Sequence, residues 1–69
     1  HLHVLDIGCG NGRFVDALQQ HTADFTYIGI DQSQELINFA RQKFTSNRVN
    51  FEVKDILTDW DEYLTEKFL

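Results

Sequence analysis

Apolar and polar residues follow three rhythms along this chain. Residues 2–7, Leu-His-Val-Leu-Asp-Ile, are mostly apolar and run into glycine. A short apolar run closed by glycine predicts a strand covered on both faces. Phe14, Val15 and Leu18 then fall on one side of a helix over 13–20, with Asp16, Gln19 and Gln20 on its wet side. His21-Thr22-Ala23-Asp24 breaks the pattern and predicts a loop. A second strand follows over 25–30, where Thr26, Tyr27 and Ile28 are strong strand formers. Leu36, Ile37, Ala40 and Phe44 form the stripe of a helix over 34–45, with Phe39 at its edge and Ser33 as its N-cap. Glu35 at its start and Arg41 and Lys43 near its end suit the helix dipole and read as a solvated face. Residues 49–54 alternate Val-Asn-Phe-Glu-Val-Lys, the period of a strand with one covered face near a sheet edge.

The last segment reads two ways. Thr58 and Asp61 resemble a capping box, and Trp60, Tyr63, Leu64 and Phe68 fit one helical stripe. A helix ending near Thr65, with a fourth strand starting at 68–69, fits as well. Three strands alternating with helices predict an α/β fold. Such connections are long enough for right-handed crossovers between parallel strands. The expected architecture is a Rossmann-like three-layer sandwich with a partial parallel sheet, ordered 3-2-1, and flanking helices. A complete fold of this kind pairs strand 1 with a fourth strand; here that edge is expected to be bare, inviting association.

Composition narrows the picture. Sixty-nine residues allow one small domain, and the chain opens on His1 without a methionine anywhere. Residues 1–69 are therefore expected to be the N-terminal part of a single domain of a longer chain. Half a sheet of this size should associate or bind weakly when made alone. One cysteine, Cys9, excludes an internal disulfide and leaves no cysteine pair for a zinc site. No apolar run reaches the roughly 18 residues of a membrane span, and no basic stretch precedes an apolar one as in a signal peptide. A cytoplasmic setting is expected. The net charge of −5 argues against a broad phosphate-binding surface in this segment, though not against a nucleic-acid substrate.

The chemistry concentrates between the first strand and first helix. Gly8, Gly10 and Gly12 alternate after Ile7, and an ordinary strand-to-helix turn rarely needs three glycines in five residues. They let the chain turn sharply and keep side chains out of a ligand's way. Asp6 beside them is costly without partners. It either accepts hydrogen bonds from the backbone of the turn or also helps receive a cationic ligand. Cys9 reads as a small buried residue, not a reactive thiol. Asp31 ends the second strand 31 − 12 = 19 residues after the last glycine. An acid there is placed to accept from ribose hydroxyls, because ligands bind outside the carboxyl ends of parallel strands. Capping the next helix is its alternative, but Ser33 serves that purpose better. Asp55 closes the third strand on the same rim. His1, His3 and His21 have no ligand cluster around them and read as surface residues.

Three of these stretches together resemble the class I S-adenosylmethionine (SAM)-dependent methyltransferases. Val4-Leu5-Asp6-Ile7-Gly8-Cys9-Gly10-Asn11-Gly12 is similar to their first motif. Ile28-Gly29-Ile30-Asp31-Gln32-Ser33 resembles the second, and Val53-Lys54-Asp55-Ile56 the third cofactor-binding segment. The resemblance implies SAM as cofactor and a role for each matching position. The backbone of Gly8, Cys9 and Gly10 would line the methionine end, with Asp6 steadying the loop and favouring the cation. Asp31 would hold the ribose hydroxyls and Gln32 would pack along the adenine. Asp55 would accept from the adenine amino group, and the Ile56 N–H would meet a ring nitrogen. It implies methyl transfer from the sulfonium to an acceptor, for which a small molecule is the first expectation and protein or nucleic acid remain open. The family's acceptor-handling residues lie largely after the fourth strand, so no catalytic residue is assigned.

A dinucleotide-dependent oxidoreductase is the main rival. Its G-x-G-x-x-G fingerprint needs glycine at position 13, where this chain has Arg, and Gly12 comes one residue early. A non-catalytic SAM-binding module, or aminopropyl transfer from decarboxylated SAM, would use the same residues.

Overall fold

The computed structural model describes residues 1–55, 57–59, 61, 62, 65 and 66. Its elements are β1 (Leu2–Ile7), α1 (Arg13–His21), β2 (Phe25–Asp31), α2 (Gln34–Lys43) and β3 (Val49–Val53). The strands form one parallel sheet in the order β1-β2-β3. Val4 pairs with Tyr27 and Asp6 with Gly29, while Tyr27 and Gly29 pair in turn with Val49 and Phe51.

That register fixes the two faces. Side chains alternate across a strand, so Val4, Phe25, Tyr27, Val49 and Phe51 share one side. Val15 and Leu18 of α1 and Ile37 and Ala40 of α2 join them in one buried cluster with Cys9 and Phe44. Both helices therefore lie on the same face, as two right-handed crossovers made in the same direction require. An ion pair joins them, Lys43 Nζ to Asp16 Oδ2 at 3.1 Å. Neither helix covers the opposite face, where His3, Leu5, Thr26, Ile28 and Asn50 line a shallow depression. Of a three-layer sandwich, the described residues supply the sheet and one helical layer. This is why β1, whose apolar run predicts cover on both faces, keeps Ile7, on the open face, about half exposed.

The helical stripes are narrower than the sequence pattern. Val15, Leu18, Ile37 and Ala40 are buried, whereas Phe14, Leu36 and Phe39 are exposed at the flanks. Helix α2 ends at Lys43, and Phe44 leaves helical geometry (φ −115, ψ 102) to place its ring 6.1 Å from that of Phe51. Ser33 caps α2 as expected, its side chain accepting from Leu36 N–H at 3.2 Å. Arg41 and Lys43 are not merely solvated. Arg41 donates through Nε and Nη2 to the Phe51 carbonyl (3.2 and 2.7 Å), occupying a main-chain acceptor of β3, and Lys43 makes the interhelical pair. Guarding a strand edge with a basic side chain limits unwanted strand addition.

After β3, Asp55 and Asp59 brace a turn. Asp59 Oδ2 accepts from Asp55 N–H, and Asp55 Oδ1 accepts from Leu57 N–H, each at 2.9 Å. Asp61, Glu62, Thr65 and Glu66 are helical. The expected stripe of Trp60, Tyr63, Leu64 and Phe68, and a strand at 68–69, lie outside the described residues. Among the described residues no helix is long and apolar enough to cross a membrane.

Candidate functional site

The glycine turn is a short bridge from the end of β1 to the start of α1, folded over the end of β2. Gly8 and Cys9 both donate to the Ile30 carbonyl, at 2.8 and 3.0 Å. Gly10 N–H donates to Asp31 Oδ2 at 3.0 Å. The turn is thus pinned to β2 by three consecutive amides, all directed into the protein. Gly12 closes it with φ +86 and its amide on the Cys9 carbonyl at 3.1 Å. A Cβ at Gly12 would come within 2.9 Å of the Phe44 ring, so this glycine is set by packing as well as by backbone. Gly8 and Gly10 also have positive φ, but a Cβ at either would meet nothing within 4 Å. Their missing side chains face open space.

Gly8 borders a small cleft of about 110 Å³, open to solvent and lined with it by Ile7, Ile30, Asp31, Gln32 and Lys54. The cleft sits at the carboxyl ends of all three strands, where α/β sheets bind ligands. Three of the residues singled out in the sequence, Gly8, Asp31 and Gln32, meet there. Gly10 joins them through its bond to Asp31. Asp55 follows Lys54 at the same rim, which is tied to β2 by Lys54 N–H donating to the Asp31 carbonyl at 3.1 Å. Ile56 lies outside the described residues. Lys54, Ile7 and Ile30 line the cleft without having been singled out in the sequence. They were visible there only as members of the three motif stretches, with no role of their own.

Asp31 is held by two backbone amides, one of them at the entry to α2, as its capping alternative expects. Its Oδ1 accepts from Ser33 N–H at 2.9 Å, helping shape the entry to α2, while Oδ2 holds Gly10. Each carboxylate oxygen accepts more than one hydrogen bond, so these bonds orient the group without exhausting it.

Asp6 lies apart from the cleft lining. It is half-buried on the helix side of the sheet, and its partner is not the backbone of the turn, as the simpler expectation had it, but the Tyr27 hydroxyl, which donates to Oδ2 at 2.6 Å. Cys9 is buried above Gly29. Burial, then the neighbouring carboxylates Asp6 and Asp31, push its thiol up to about 11. That agrees with an inert cysteine. It also marks the region under the turn as electronegative. Asn11 adds a buried Oδ1 with no hydrogen-bond partner among the described residues, an acceptor beside the turn. No group of three or more His, Cys, Asp or Glu among the described residues could hold a metal ion.

Comparison with known proteins places this arrangement. Residues 1–68 match the family model described as a methyltransferase domain. The chain is 43% identical over 54 residues to a trans-aconitate 2-methyltransferase of Delftia acidovorans, covering 78% of this chain and 19% of that protein. It is 39% identical over 56 residues to a ubiquinone biosynthesis O-methyltransferase of Coxiella burnetii, covering 78% and 23%. The plantazolicin methyltransferase BpumL, solved in complex with SAH, superposes with a TM-score of 0.70 at 33% identity over 83% of this chain and 21% of that one. The chain thus spans about a fifth of the length of each. With the motifs in order and the cleft at the strand ends, the chain belongs to the class I SAM-dependent methyltransferase family.

Proposed function

We propose that this chain is the SAM-binding N-terminal part of a single methyltransferase domain, residues 1–69 of a longer protein acting in the cytoplasm. The observation that carries the cofactor reading is the electrostatics of the turn. The amides of Gly8, Cys9 and Gly10 all donate inward, and the Asp6 and Asp31 carboxylates both act on the Cys9 thiol beneath the turn. A pyrophosphate is gripped by outward N–H groups; a turn with its amides committed and carboxylates beneath favours a cationic ligand. The bare approach over Gly8 and Gly10 and the unpartnered Asn11 acceptor also fit SAM.

Each residue then has a definite task. Gly8, Cys9 and Gly10 give the methionine end a side-chain-free wall. Asp6 supplies negative charge near the amino-acid end. Asp31, held by Gly10 and Ser33, accepts from the ribose hydroxyls, and Gln32 lies along the adenine. Asp55 accepts from the adenine amino group and the Ile56 N–H meets a ring nitrogen. When bound, the sulfonium makes its methyl carbon electrophilic without help from the protein. What remains for the protein is alignment of the acceptor and, where needed, removal of its proton; no residue of this chain is assigned to that step.

A small-molecule acceptor is the preferred reading, since two of the relatives are named for trans-aconitate and for ubiquinone biosynthesis. The full-length protein incubated with methyl-labelled SAM and separate pools of metabolites, protein and RNA tests it. Label in the metabolite pool is expected. Label confined to protein or RNA overturns the acceptor class, and binding of SAM without transfer to any pool points to a non-catalytic module.

A further inference from the structure

Tyr27 is fully buried, yet it lies in a layer whose other members, Phe25, Val49, Phe51 and Val15, are apolar. A phenylalanine would fill that place without a hydroxyl to satisfy. The hydroxyl donates to Asp6 Oδ2 at 2.6 Å, within the roughly 2.5–2.7 Å range of a charge-assisted O–H···O⁻ bond.

The route of the side chain is specified from several sides. Tyr27 pairs with Val4, so reaching Asp6 means running diagonally toward the carboxyl end of the sheet. The position it passes is Gly29, the direct partner of Asp6. A Cβ at Gly29 would stand 2.8 Å from Tyr27 Oη. The Phe51 ring meets the Tyr27 ring edge-on, with centroids 5.7 Å apart. Cys9 closes the space from above, its Sγ 2.9 Å from where that same Cβ would be. One aromatic neighbour, one glycine and one small side chain therefore aim the hydroxyl at a single carboxylate oxygen.

We infer that Tyr27 is a positioning residue for the cofactor site: its buried hydroxyl fixes the Asp6 carboxylate in the orientation that receives the cationic amino-acid end of the cofactor. This rests on the cofactor reading above. The bond uses Oδ2 and thereby sets the plane in which Oδ1 is presented. Burial, reinforced by Asp6, pushes the phenol's ionisation well above its ordinary range, so it remains a donor at any working pH.

The test uses the full-length protein and two ligands. S-adenosylhomocysteine carries the amino-acid end, and 5′-methylthioadenosine is the corresponding nucleoside thioether without it. Calorimetry of Tyr27→Phe should show roughly ten-fold weaker binding of S-adenosylhomocysteine, with 5′-methylthioadenosine held within about two-fold. Asp6→Asn should weaken S-adenosylhomocysteine at least as much, and the double variant should bind no worse than Asp6→Asn alone. Equal losses for both ligands in Tyr27→Phe would reduce Tyr27 to core packing, and unchanged S-adenosylhomocysteine binding would overturn the inference while Asp6→Asn remains weak. Unchanged binding in Asp6→Asn itself would instead remove Asp6 from the cofactor site, and the inference with it.

Discussion

Replacing Gly29 by alanine isolates the contact on which the glycine turn rests. Gly29 lies in β2 outside the positive-φ region, so alanine fits its backbone and gains roughly 0.5–1 kcal/mol from a stiffer unfolded chain. The new methyl group has nowhere to go. It would stand 2.8 Å from Tyr27 Oη and 2.9 Å from both Cβ and Sγ of Cys9. Tyr27 cannot retreat without stretching its bond to Asp6, a charged-acceptor bond worth about 1.5–3 kcal/mol. Cys9 cannot retreat without lifting the turn from the Ile30 carbonyl. Overpacking of this kind costs about 1–3 kcal/mol, more than the gain from alanine. Gly29→Ala in the full-length protein should therefore lose about 1–2 kcal/mol in urea denaturation. Cofactor affinity should fall alongside, because the displaced elements are the turn and Asp6. A variant as stable as the parent, with unchanged affinity, would refute the reasoning.

Gly12→Ala combines a left-handed backbone with a 2.9 Å approach to Phe44, and should cost about 2–4 kcal/mol, read as a lowered denaturation midpoint. The Cys9 thiol is raised from its usual 9.0 to about 11, so the folded state keeps a proton that the unfolded state gives up. Its contribution is complete below pH 9 and lost as pH rises toward 11; the urea midpoint should fall over that window, less steeply in Cys9→Ala. Asp31→Asn keeps the shape but leaves an acceptor for only one of the Gly10 and Ser33 amides and turns an NH2 donor toward the other, and should weaken SAM binding by roughly ten-fold or more and cost about 1–3 kcal/mol of stability.

Much of the fold was legible because period and punctuation agree. The apolar run of β1 and the Ser33 cap fall where the sequence puts them, and the break expected from His21 comes one residue later, after α1 takes in His21. The misses share a cause. Periodicity finds the centre of a helical stripe but not its width, so Phe14 and Leu36 read as part of the buried stripe and are exposed, as is Phe39 at its edge. Arg41 reads as solvated because its acceptor, the Phe51 carbonyl, belongs to another element. In the site, the glycines and Asp31 announce themselves by spacing, and the cleft brings Gly8, Asp31 and Gln32 together. The Tyr27–Asp6 bond is invisible in sequence. It joins residues 21 apart through a strand register and depends on the absence of a side chain at Gly29. Tyr27 showed only strand propensity, and Gly29 only its place in a motif.

The central claim is that the glycine turn serves a cationic methyl donor and not a dinucleotide. Calorimetric titration of the full-length protein with SAM and, separately, with NADH tests it most directly. Saturable binding of SAM and none of NADH at the same concentrations is expected; preference for NADH, or no binding of SAM, would contradict that claim.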